Sequence, residues 1–203
     1  MPGRSGERRD QILQVLAEML ESPRPEKITT AALAAKLDVS EAALYRHFAS
    51  KAQMFEGLIE FIEKTLFGLI NKLTAEENNG IRQVDGILSL LLGFAKKNPG
   101  MTRVLIGDAL VNENDRLQAR VNQLHDRLEA TLKQSLRFDS SEKENADTVG
   151  ISAQANMLMC YVVGRWHQFA KSGFKRDPLE YWEMQRKEML PGEAFEGVAQ
   201  CSN

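Results

Sequence analysis

Residues 28–51, ITTAALAAKLDVSEAALYRHFASK, leave room for two short helices and a tight turn. Leu33 and Leu37 lie one helical turn apart behind a capping threonine, either Thr29 or Thr30. Asp38 and Val39 interrupt the spacing. Ser40 can cap a second helix, with Glu41 placing negative charge beside its positive N-terminal end. Ala43, Leu44 and Phe48 then point inward, while Tyr45, Arg46 and His47 point outward. Helices this short cannot bury a core alone, so another element must cover them. Residues 7–21 supply it, because Ile12, Leu13, Val15, Leu16, Met19 and Leu20 form a broad apolar stripe that Ser22, Pro23 and Pro25 end.

Two short helices covered by a third form the arrangement in which a second helix enters the DNA major groove. Bulk charge gives no such hint. The chain of 203 residues has a net charge of -2, so a DNA-binding surface must come from local placement. Tyr, His, Ser, Thr and Lys at the helix edges suit phosphate oxygens. Residues 1–6 read as a disordered start. With Arg4, Arg8 and Arg9 in or beside it, it is either an arm along the DNA backbone or minor groove, or the solvated start of a helix.

Beyond residue 51 the pattern stays helical. Phe55, Leu58, Ile59, Ile62, Leu66, Leu69, Ile70 and Leu73 make one stripe over residues 51–73. Phe61 and Phe67 fall off it on opposite sides. Residues 74–80 read as a loop. Residues 84–98 form a helix apolar nearly all round, as suits the middle of a bundle, with Gly93 allowing close approach and Asn98-Pro99-Gly100 stopping it. Thr102 can cap a short helix to about Leu110. Leu117, Val121, Leu124, Leu128, Leu132 and Leu136 stripe a long helix over 112–136, with His125 at its boundary. Residues 138–147 read as a charged loop and 148–172 as an apolar helix. Pro178 opens a last helix that runs to Met189, and a loose tail follows. The fold class expected is all-α, with a helix-turn-helix unit over 1–51, a helical regulatory and dimerisation domain over 52–190, and a flexible tail over 191–203. The apolar surplus around Met157–Val163, Trp166 and Trp182 suggests pairing with a second copy.

Other classes find little support. There is no Gly-rich phosphate loop, no H-E-x-x-H and no G-x-S-x-G, so an enzyme is not expected. Cys160 and Cys201 have no metal-ligand partners at useful spacing, and neither metal nor cofactor is expected. No apolar run approaches the roughly 20 residues that span a bilayer, and no signal segment opens the chain, so a cytoplasmic location is expected.

The motif S-E-A-A-L-Y-R-H-F-x-S-K after a short helix and turn resembles the TetR family of bacterial DNA-binding proteins. KITTAALAAKL, MFEGLIEFIE, LLLGFAKKNPGMTRVLIGDAL and ENDRLQARVNQL extend the likeness to the nucleoid occlusion branch of that family. The resemblance implies a dimer that binds palindromic chromosomal sites and, while bound, contacts the tubulin-like division protein FtsZ and antagonises ring assembly. It implies association with the nucleoid and no small-molecule ligand. On the DNA side it points to Thr29, Ser40, Ala43, Tyr45, His47 and Lys51, beside which Thr30, Arg46, Arg8 and Arg9 are candidates from position. Thr29 and Lys51 would hold phosphates, and Tyr45 and His47 phosphate or base edges. Ala43 could offer only a methyl contact to thymine. On the FtsZ side it points to Phe61, Leu90, Gly93, Lys97 and Asn98. A basic residue expected near position 69 is Leu69 here. The main rival is a repressor whose C-terminal domain opens an apolar pocket for a small inducer.

Overall fold

A computed structural model of the chain describes residues 4–22, 28–140 and 148–190. Among the described residues there is no strand. In order come α1 (Arg4–Met19), α2 (Thr30–Lys36), α3 (Glu41–Tyr45), α4 (Lys51–Glu76), α5 (Gly80–Lys97) and α6 (Pro99–Leu105). A 3-10 turn (Asp108–Leu110), α7 (Asp115–Ser140), α8 (Thr148–Lys171) and α9 (Trp182–Met189) complete them. The all-α reading of the sequence holds.

The caps are local and do what the side chains dictate. Thr29, not Thr30, caps α2, its Oγ1 accepting from the Ala32 N–H at 3.1 Å. Ser40 Oγ accepts from the Ala43 N–H at 3.3 Å and Ser50 Oγ from the Gln53 N–H at 3.2 Å. Between α2 and α3, Asp38 adopts a left-handed φ of 53°, which lets the Val39 N–H reach back to the Ala34 carbonyl at 3.0 Å.

Several boundaries differ from the sequence expectation. The helix begins at Arg4 rather than after Gly6, so Arg8 and Arg9 lie on α1 and not in a free arm. Met1, Pro2 and Gly3 lie outside the described residues, as do Pro23, Pro25 and the expected tail over 191–203. The loop expected over 74–80 shrinks, because α4 runs to Glu76 and Asn79 Oδ1 caps α5 at the Arg82 N–H, 2.8 Å away. Gln83 clips the junction by donating to the carbonyls of Thr74 and Glu77 at 3.2 and 2.8 Å. Pro99, not Thr102, opens α6, and the Thr102 hydroxyl bonds back to the Ala95 and Asn98 carbonyls. α7 starts three residues late, after a turn in which Asn112 has a φ of 64°, and runs through Phe138 to Ser140 instead of stopping at Leu136. The rest of that expected loop, 141–147, lies outside the described residues. Pro178 precedes α9 rather than joining it, since Tyr181 turns left-handed at 67°. Arg165 holds this turn by donating to the carbonyls of Asp177, Pro178 and Glu180 at 2.7, 3.0 and 2.8 Å.

The core follows the stripes. Leu117, Val121, Leu124, Leu128 and Leu132 of α7 are fully buried, as are Val84, Ile87, Leu88, Leu91 and Leu92 of α5. α5, α7 and α8 pack on one another, and α4 packs on α5 and α7. The N-terminal helices meet this bundle along α4 and α6, and the approach to α6 is especially close. A Cβ on Gly100 would sit 1.9 Å from the Ala17 carbonyl oxygen of α1, so only glycine lets α6 approach that closely.

One expectation about the interior is corrected. Trp166 and Trp182 need no second copy to cover them. Trp166 is 0% exposed, with its Nε1 donating to the Leu91 carbonyl at 3.1 Å, and Trp182 Nε1 donates to Ser89 Oγ at 2.8 Å. His125 keeps the boundary position its spacing predicts, half-buried at the edge of the α7 stripe. Its ring stacks at 5.9 Å from Trp166, Nε2 is buried, and burial pushes its pKa down, partly opposed by the Leu105 carbonyl and Asp126. Phe67 does pack on the bundle, under the Arg127 guanidinium at 4.1 Å.

Candidate nucleic-acid interface and partner groove

The outer edge of the helix-turn-helix collects most of the DNA candidates. Thr29 and Ser40 are exposed, and their oxygens accept the cap bonds. A hydroxyl that accepts still has its own proton, so each is free to donate to a phosphate oxygen. Thr30 Oγ1 donates to Glu41 Oε2 at 2.5 Å and accepts from the Tyr45 hydroxyl at 3.4 Å, which ties α2 to α3 across the reading face. Tyr45 remains 45% exposed. Arg46 is exposed, and Ala43 and His47 are half-buried.

The cations at the rim are less free. Arg8 Nη1 donates to Gln11 Oε1 at 2.5 Å. Arg9 donates to the His47 carbonyl at 2.5 Å and lies 4.1 Å over the Phe48 ring. Arg9 thus fixes the end of α3 against α1. Lys51 is held by a carboxylate of Glu113, from the segment before α7. No local pattern signals that pairing, which joins residues far apart in the chain.

Phe61, Leu90, Gly93, Lys97 and Asn98 all line one open groove of about 390 Å³ between α4 and α5. Phe61 is 44% exposed because it falls off the buried stripe of its helix. An added Cβ at Gly93 would meet nothing within 4 Å, so the glycine leaves the groove floor open. Asn98 Nδ2 donates to the Phe94 carbonyl at 2.8 Å, fixing the end of α5, and Lys97 projects exposed beside it. Leu69, 47% exposed, lines the groove where a basic residue was expected, so the wall there is apolar. Thr65, Ser89 and Phe94 complete the lining. Thr65 and Leu69 follow Phe61 at four-residue steps, so the spacing could have found them. Behind the groove α9 grips α5. Trp182 reaches Ser89, and Arg186 reaches Asp85 at 2.9 Å. Burial nevertheless pushes the Asp85 pKa up, because Arg186 offsets only part of the desolvation.

Among the described residues no group of His, Cys, Asp or Glu could hold a metal ion, and no helix is long and apolar enough to cross a membrane.

Comparison with known proteins gives one consistent answer. Residues 12–58 match the family of bacterial regulatory proteins of tetR type, and residues 78–191 match the tetracyclin repressor-like C-terminal domain of SlmA-like proteins. The nucleoid occlusion factor SlmA of Alteromonas mediterranea is 54% identical over 88% of this chain and 91% of its own. That of a Marinomonas species is 49% identical over 91% and 94%. Among solved structures, a TetR transcription regulator from Haloarcula marismortui has a TM-score of 0.75 at 15% identity, covering 90% of this chain and 96% of its own. FadR from Bacillus subtilis, solved with stearoyl-CoA, has a TM-score of 0.72 at 12% identity, covering 90% and 98%. These last two speak for the fold alone. With both family models matched and relatives at about half identity over most of the chain, the chain belongs to the SlmA nucleoid occlusion factors of the TetR family of DNA-binding regulators.

Proposed function

We propose that this chain binds palindromic DNA sites as a homodimer and, while bound, captures FtsZ in the groove between α4 and α5, antagonising division-ring assembly over the chromosome. The observation that carries the reading is the convergence of Phe61, Leu90, Gly93, Lys97 and Asn98 on one concavity, although they come from two helices. The groove offers an apolar floor with a cation and an amide at one end, which suits a partner segment that is apolar with an acidic group. On the DNA side, Thr29, Ser40, Tyr45, Arg46, His47 and Lys51 contact phosphates and base edges, with Ala43 against a thymine methyl. Thr30 and Arg9 brace the reading face, and Arg8 lies beside it as a further phosphate contact.

Dimerisation falls to the outer face of α8. Val149 and Met157 are 79% and 49% exposed there, and Cys160 and Gly164 keep the face low enough for a second helix to lie close. The division of labour follows the chain, with DNA binding in 1–51 and partner binding and dimerisation in 52–190. The place of action is the nucleoid in the cytoplasm, and no small ligand is required.

The test is FtsZ polymer assembly in the presence of this protein, with and without a genomic fragment it binds. Site-dependent disruption that disappears in Phe61→Ala or Lys97→Glu, while DNA binding persists, supports the reading. Tight site-specific DNA binding with no effect on FtsZ overturns it in favour of a ligand-gated repressor.

A further inference from the structure

We propose that Glu113 is a built-in competitor for the DNA backbone, holding Lys51 until a phosphate takes its place. The proposal rests on the reading of Lys51 as a phosphate contact. Lys51 opens α4 directly behind the recognition helix, where Ser50 caps the first turn and the N-terminal end of the helix favours anions. A cation at this point is well placed for a phosphate, yet its ammonium is already engaged by Glu113. The pair is partly desolvated, with the two side chains 22% and 14% exposed. A DNA phosphate that takes Lys51 as its partner competes with an anion already in place.

Glu113 belongs to the segment that joins α6 to α7. That segment carries a second tie of the same kind, Asp108 to Lys171 near the end of α8. Its backbone is bent by left-handed residues at Gly107 and Asn112. It is therefore a short strap with one carboxylate fastened to the DNA-binding unit and the other to the helix proposed for dimerisation. Arrival of DNA undoes the first fastening and leaves the second. The exchange connects the state of the reading head to the C-terminal bundle without any change in the recognition helix itself. Arg9, by contrast, is braced by a backbone carbonyl and an aromatic ring, which carry no charge for a phosphate to outcompete.

Binding to a random-sequence duplex of about 30 base pairs, followed by anisotropy over a salt series, tests the exchange, because a phosphate contact acts on every sequence. Lys51→Gln should weaken binding and lower the slope of log affinity against log salt by about 0.9 for each protomer on the duplex. Glu113→Gln should tighten binding by up to about fivefold for each protomer, the scale of a partly exposed ion pair. In the Lys51→Gln background the same change should do nothing, whereas a general loss of negative charge would still tighten binding. Glu113→Asp retains the charge but shortens the reach, and should tighten binding in the same direction. Hydrogen exchange at residues 111–114 should rise on adding DNA to the parent chain, and be high without DNA in Glu113→Gln. If Lys51→Gln lowers the slope but neither Glu113 variant tightens binding, the exchange is wrong and the phosphate contact stands. If Lys51→Gln leaves the slope unchanged, the phosphate contact and the exchange both fail.

Discussion

His125 makes the stability of this fold depend on pH in a window where few side chains titrate. Its ring lies against Trp166 between α7 and α8, and burial holds its pKa below the ordinary 6.5. A histidine whose folded pKa is depressed leaves the unfolded chain as the better proton acceptor. Stability is then complete above the unfolded pKa of about 6.5 and falls as the pH drops below it. If the folded ring takes up no proton, moving from pH 7.5 to 5.5 costs RT ln(11/1.1), about 1.4 kcal/mol. That is a ceiling, because any protonation of the folded ring reduces it. For a chain of this length it corresponds to a fall of about 3–6 °C in Tm. The measurement is the thermal or urea midpoint of the parent chain and of His125→Gln at both pH values. The glutamine keeps a donor toward the Leu105 carbonyl and removes the titration. Other groups, such as Asp85, whose raised pKa acts with the opposite sign, titrate in both proteins and cancel in the difference. The parent should lose up to about 1.4 kcal/mol more than the variant. Equal losses would show that the ring is not buried in its neutral form, and the reasoning would fail.

Gly100→Ala should destabilise the chain by about 1–3 kcal/mol, because the clash is with the Ala17 carbonyl of the backbone rather than with a movable side chain. Urea unfolding checks it. Ser40→Ala should cost about 0.5–2 kcal/mol through loss of the α3 cap, whereas Ser40→Asp should keep the cap and stability but abolish DNA binding by setting a carboxylate against phosphate. Denaturation and anisotropy together separate the two. Met157→Lys should change protomer stability by less than about 0.5 kcal/mol, since the side chain is exposed, but should shift sedimentation from dimer toward monomer.

The short-range features were legible in the sequence because they depend on neighbours a few residues apart. The serine cap of α3, the break at Asp38 and Val39, the α7 leucine stripe and the off-stripe position of Phe61 all follow from spacing and side-chain chemistry. Helix ends were less legible wherever a distant or backbone partner set them. Gln83 bonding to two carbonyls extended α4 into an apparent loop, and Arg165 gathered the carbonyls before α9 into a turn that excluded Pro178. The chain by itself therefore determined the helices, their buried faces and the reading edge of the DNA-binding unit. Tertiary structure alone decided that Trp166 and Trp182 are buried within one chain, that α6 touches α1 at Gly100 and that Lys51 belongs to Glu113. Those contacts join residues tens of positions apart, and side-chain periodicity carries no information about which distant faces will meet.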